Sequence, residues 1–137
     1  MSWRWISKRA LLLLHAESLA EHGGGTGIRD EGLLDSALAR PLNLSVYGDP
    51  DFAALAASYG AGVAKNHPFV DGNKRAALLA TGLFLYVNGY KLTASQTETT
   101  LTMLSLAEGD LAEDDFAAWL RQHAQRRANG DNRQKDK

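Results

Sequence analysis

The chain contains no cysteine. That excludes a disulfide scaffold and any thiolate metal site, and it fits a reducing cytoplasm. Net charge is also nearly missing, −1 from 15 lysines and arginines against 16 aspartates and glutamates. A general affinity for nucleic acid or an anionic membrane is therefore not expected. Long apolar runs are absent too: the longest, AALLATGLFLYV at 76–87, falls well short of the roughly 20 residues that span a bilayer. Near the N-terminus, MSWRWISKRALLLLHAE places cations before leucines as a secretory leader does. The run Ala10–Leu14 is shorter than the roughly 7–15 apolar residues such a leader needs, and His15 and Glu17 close it. A soluble, cytoplasmic protein without a transmembrane segment is expected.

What is present is helical punctuation. At 137 residues with a 45% hydrophobic content, the chain can bury one core, so a single domain is expected over 1–127. The polar tail ANGDNRQKDK, at 128–137, is expected to be disordered. No internal repeat is apparent. A first helix over Ser7–His22 carries Leu11, Leu14 and Leu19 near one face and ends at GGGTG, 23–27. Asp30 caps a second, with Leu33, Leu34, Ala37 and Leu38, which stops before Pro41. DPDF at 49–52 opens a third, with Phe52, Leu55, Tyr59 and Val63 at helical spacing. A fourth runs to Asn88-Gly89 and, being apolar nearly all round, should be the central buried helix. A fifth over Ser95–Ala107 and a sixth over Glu113–Arg127 pack around it. The expected fold is all-α, a bundle of about six helices. Only PLNLSVYG, 41–48, departs from this, because Leu42, Leu44 and Val46 alternate with polar residues at strand periodicity. It reads either as an extended connector or as an exposed edge that pairs with an extended peptide.

The chemistry concentrates in NHPFVDGNKRAAL, 66–78. Pro68 keeps His67 out of helical conformation, so the third helix must end near Asn66. Gly72 supplies a turn and Asn73 an N-cap for a helix starting at Lys74. Backbone N–H groups and the positive end of the helix dipole converge there, a ready anion site. Lys74 and Arg75 sit in the first turn, where cations are disfavoured by roughly 0.3–1 kcal/mol each, and a multiply charged phosphate chain would offset that repulsion. Asp71 in the same loop would repel phosphate unless a divalent cation intervened; Mg²⁺ takes one or two carboxylates plus phosphate oxygens. His67 suits proton abstraction near neutral pH. Phosphoryl or nucleotidyl transfer follows.

HPFVDGNKR resembles the signature of the Fic/Doc family, and more closely its death-on-curing (Doc) toxin branch. GIRDEGLLDSALARP (27–41) and LFLYVNGYKL (83–92) are also similar to Doc proteins, and the resemblance covers roughly 6–122. It implies a Fic-type helical fold with the motif joining two central helices. His67 would be the general base that deprotonates a target hydroxyl, and Asp71 would hold Mg²⁺. Gly72, Asn73 and Lys74 would cradle the phosphates of ATP, and Arg75 would neutralise charge developing in transfer. Phe69 would anchor the loop. The family's flap, which aligns the target peptide, corresponds to LNLSVYG.

Fic enzymes that transfer AMP usually carry glycine after the motif asparagine and a second arginine three positions beyond the first; here those places hold Lys74 and Leu78. Leucine cannot make the bidentate phosphate contact of arginine. The resemblance then implies passage of the γ-phosphate to a Ser or Thr hydroxyl of a protein, in the Doc branch a translation elongation factor, halting protein synthesis. The alternatives are AMP or UMP transfer by the same loop, or a catalytically idle anion-binding module. The self-blocking helix [ST]xxxE[GN] of many Fic enzymes is missing, since Gly27 and Leu104 occupy the Ser/Thr position before Glu31-Gly32 and Glu108-Gly109. Restraint would come from an antitoxin whose disordered tail folds on binding.

Other features read as structural. GGGTG follows a helix and lacks a P-loop lysine, so it is a helix stop and flexible turn. His15, His22 and His123 lack metal-ligand spacing, with His22 at a helix C-terminus and His123 beside an apolar face. Trp3 and Trp5 are packing residues and Trp119 is core. EDD at 113–115 is a favourable acidic first turn.

Overall fold

Ser7, Asp30, Asp51 and Ser95 each accept a backbone N–H of the following turn on a side-chain oxygen, and these four caps set where most of the helices begin. In the computed structural model, which describes residues 2–128, α1 spans Lys8–His22, α2 Glu31–Tyr47, α3 Phe52–Asn66 and α4 Asn73–Val87. A short strand β1, Tyr90–Leu92, leads to α5, Gln96–Glu108, and α6, Glu113–His123, and the described chain closes with β2, Ala124–Arg126. The all-α bundle of six helices is as expected. Apart from Ala128, the tail at 128–137 lies outside the described residues. No helix among them is long and apolar enough to cross a membrane.

Three expectations need correction. First, α2 continues through Pro41, whose ring is buried inside it. Proline removes one helical hydrogen bond and usually kinks or ends a helix; here burial of the ring in the core offsets that loss. The segment 42–47 is consequently helical rather than an extended flap or edge strand. Leu42, Leu44 and Val46 are exposed, at 39%, 39% and 73%, and Ser45 Oγ donates to the Leu42 carbonyl at 2.7 Å. Three alternating residues are too few to separate a strand from a solvent-facing turn of helix.

Second, α6 stops at His123. The next residues pair antiparallel with β1 in the register Tyr90↔Arg126, Lys91↔Gln125 and Leu92↔Ala124. Thr93 reinforces the junction, its N–H and its hydroxyl both donating to the His123 carbonyl at 2.7 and 2.9 Å. Non-local pairing of this kind leaves little trace in a short polar sequence.

Third, the central helix is α3. It buries Ala53 and every residue from Leu55 to Ala64, whereas α4 buries Asn73, Ala76, Ala77, Ala80, Thr81, Phe84 and Leu85. The small residues of α3 matter more than bulk hydrophobicity. A Cβ on Gly60 would stand 2.4 Å from Thr81 Oγ1 and 2.9 Å from Phe116 Cε2, so α4 and α6 approach α3 there as only glycine permits. Trp3 and Trp5 pack on Phe84, each with ring centroids 6.0 Å apart, as packing residues should. This core fixes α3 and α4 side by side, with the motif loop joining them.

Candidate active site

His67 closes α3 in the left-handed region, with φ 47° and ψ 55°, the one non-glycine residue with positive φ among the described residues. Such a backbone is uncommon outside glycine and is held only when the surroundings dictate it. They do so here. The Arg29 guanidinium donates to the carbonyls of Asn66 at 2.9 Å and His67 at 2.7 Å, and Asn66 Nδ2 donates to the Leu33 carbonyl at 2.9 Å. The segment before α2 runs antiparallel to the motif loop: Ile28 bridges Phe69, Val70 N donates to Gly27 O at 3.1 Å, and Arg29 N to Pro68 O at 2.7 Å. GGGTG is thus more than a flexible stop. Its Gly25 N also donates to Asp71 Oδ2 at 3.3 Å. A free turn would make none of these bonds.

Asn73 does not cap α4. The helix starts at Asn73 itself, with Gly72 in the cap position and no side chain bonding the first turn. The amide of Asn73 turns back instead, accepting from Phe69 N at 2.9 Å and donating to Phe69 O at 3.0 Å. These two bonds fix which end of the amide is nitrogen, and that nitrogen stands 3.4 Å from His67 Nδ1. Asn73 therefore braces the loop and steers the imidazole together. Because the cap is empty, the N–H groups of the first turn remain open to an anion.

Lys74 and Arg75 are exposed in that turn, and among the described residues neither side chain pairs with a carboxylate. Both line a cleft of about 890 Å³ together with His67, Asp71, Gly72 and Asn73. All the site residues expected from the sequence thus come to one cleft. Its other walls are His22 and Gly23 from the end of α1, Leu78 from α4, and Gln96, Thr99, Thr100 and Met103 from α5. The carboxylate of Asp71 faces the same space, accepting from Gly72 N on Oδ1 at 2.8 Å as well as from Gly25. Two acceptor positions per carboxylate oxygen leave room for a cation. The described residues hold no cluster of three or more protein ligands. A lone carboxylate fits a magnesium ion that arrives with nucleotide phosphates, since Mg²⁺ keeps waters and phosphate oxygens in its shell; it does not fit a resident all-protein metal centre.

Beneath the loop lies a residue that sequence reasoning left aside. His15 is buried, stacked on Phe69 with ring centroids 4.0 Å apart. Burial pushes its pKa below the ordinary histidine value; the Asp71 backbone opposes that, Arg75 adds to it, and the Asp71 carboxylate opposes it. The ring sits so close to the turn that a Cβ on Gly72, at φ 73°, would lie 3.0 Å from His15 Cε1. The four-residue spacing Leu11, His15, Leu19 would have placed it on the buried face of α1, whereas Leu14 is only partly buried. Arg29 gave no comparable signal.

Comparison with known proteins agrees with this geometry. The model of the Fic/DOC family matches residues 5–85. The chain is 40% identical over 115 residues to a protein named Toxin Doc from Mycolicibacterium smegmatis, covering 79% of this chain and 85% of that one. It is 32% identical over 119 residues to the Protein kinase doc of Escherichia phage P1, covering 86% and 94%. With an expected signature, a helical bundle that presents it at one cleft, and relatives aligned over most of their length, the chain belongs to the Fic/DOC family.

Proposed function

We propose that the chain is a Doc-type toxin that transfers the γ-phosphoryl group of ATP to a Ser or Thr hydroxyl of a protein, a translation elongation factor being the target class expected of this branch. The observation that carries the reading is the joint placement of His67, Asp71 and the uncapped start of α4 on one cleft. The phosphate chain lies against the first-turn N–H groups with Lys74 and Arg75 balancing its charge. Asp71 would hold magnesium together with the nucleotide, and the ion would supply further charge neutralisation. A neutral imidazole has one nitrogen without hydrogen; that nitrogen of His67 takes the proton of the attacking hydroxyl as its oxygen bonds to the γ-phosphorus and the bond to the β-phosphate oxygen breaks, releasing ADP. Asn73 holds the loop that presents the ring, through its two bonds to the Phe69 backbone.

The relative from phage P1 carries the name of a protein kinase, which supports phosphotransfer. Leu78 supports it as well: it lines the cleft where AMP-transferring relatives place a second arginine. Nucleotidyl transfer is the second reading. ATP labelled at the α or the γ position decides between them on a susceptible target. Label should reach protein from the γ position; transfer from the α position alone would sink the kinase reading. The name Toxin Doc supports a partner antitoxin for this chain as well. Growth arrest on expression of the chain alone, relieved by a co-expressed neighbouring small protein, is the expected result.

A further inference from the structure

His15 is a poor choice for folding. It occupies the middle of the three positions that α1 buries, between Leu11 and Leu19, where an apolar side chain would pack without a polar atom to satisfy. The residue is 4% exposed, and neither Nδ1 nor Nε2 has a hydrogen-bond partner. A buried polar group left idle calls for an explanation beyond packing. The charged groups that face it from the elements packed around it are Asp71 and Arg75, both in the cleft assigned above to the nucleotide. Geometry sets the ring beside the Asp71–Gly72 turn, where a Cβ on Gly72 would lie 3.8 Å from His15 Nδ1, and no hydrogen bond is made.

We propose that His15 is a positioning residue for the Asp71–Gly72 turn, its unused ring N–H engaging the Asp71 backbone carbonyl when the turn closes on a nucleotide phosphate chain. A ligand shifts a conformation only through contacts that differ between the two states. Here the loaded state gains a hydrogen bond that the empty state lacks, and the gain falls at the carbonyl of the residue that carries the cleft's carboxylate. The inference rests on the nucleotide reading of the cleft.

The test uses the full chain with a non-hydrolysable ATP analogue and Mg²⁺, comparing the wild type with His15→Phe and His15→Gln. The phenylalanine variant should melt at the wild-type temperature or above without ligand. It should bind the analogue about tenfold more weakly, the loss of one hydrogen bond, and need more Mg²⁺ for half-maximal binding. Glutamine, which restores an N–H donor, should recover part of the binding. Wild-type affinity in His15→Phe would overturn the inference, as would equal loss of stability and binding in both variants, which marks a packing role. If the wild type itself binds no analogue, the nucleotide reading fails and this inference falls with it.

Discussion

α4 carries an asparagine at each end, and the two make the same pair of bonds for different purposes. Asn73 accepts from Phe69 N and donates to Phe69 O, at 2.9 and 3.0 Å. Asn88 accepts from Arg4 N and donates to Arg4 O, both at 2.9 Å. Around Asn88 the main chain is satisfied, although Arg127 Nε and Nη1 nearby are buried without a hydrogen-bond partner: Asn88 Nδ2 also reaches Phe84 O at 2.8 Å, and Arg127 N donates to Gly89 O at 2.8 Å. Around Asn73 more is left open. The helix lacks a cap, two cations stand in the wrong turn, His67 is left-handed, and a buried histidine lacks a partner. One end of the helix is optimised for the folded state, and the other keeps open the groups a substrate would complete. Local rules of stability break where function is concentrated.

The sharpest way to break the comparison is at His67, the base of the proposed transfer. His67→Ala should lower phosphotransfer by about 10²–10⁴-fold and relieve growth arrest, with the melting temperature nearly unchanged, since the side chain is exposed and alanine meets the same left-handed backbone with the same Cβ. The paired replacements come next. Asn73→Ala strands the buried N–H and C=O of Phe69 and should cost about 1–3 kcal/mol along with activity. Asn88→Ala, on a half-buried site, should cost about 1–2 kcal/mol yet leave phosphotransfer per folded molecule intact. Chemical denaturation alongside a single-turnover assay separates the two. A third comparison concerns charge: Lys74→Gln and Arg75→Gln should each stabilise the empty protein by about 0.3–1 kcal/mol and weaken nucleotide binding, with the thermal shift on adding ligand as the readout.

The smallest effect lies far from the cleft, at Asp51. The Arg121 guanidinium, at 2.6 and 2.9 Å, holds its carboxyl below the usual value of 3.8. Because the folded pKa is the lower one, the ion pair stabilises the protein fully above pH 3.8, and that contribution is lost as pH falls through the folded value. Asp51→Asn keeps a capping side chain and removes the pair, so it should cost about 0.2–1 kcal/mol at neutral pH and nothing in strong acid. Urea midpoints across a pH series measure it.

Local chemistry was legible in the sequence wherever one residue decides the outcome. Ser7, Asp30, Asp51 and Ser95 start helices because an oxygen at that position can do little else as well. The nine-residue motif announced its cleft because cations at a helix start are otherwise unfavourable. What stayed hidden depends on contacts distant in sequence. Pro41 is carried inside α2 by burial that its neighbours in the sequence do not reveal, β2 exists because β1 is there to pair with, and Arg29 matters because α3 ends beside it. Asn73 has the type and place of a cap, but the buried backbone of Phe69 competes for the amide and wins.

The bridge between Ile28 and Phe69 makes the stretch ahead of α2 a handle on the imidazole. Residues 24–29 are held to the backbone that presents His67 through the Arg29 guanidinium, which bonds the carbonyls of Asn66 and His67. A ligand of that stretch reaches the site without entering the cleft.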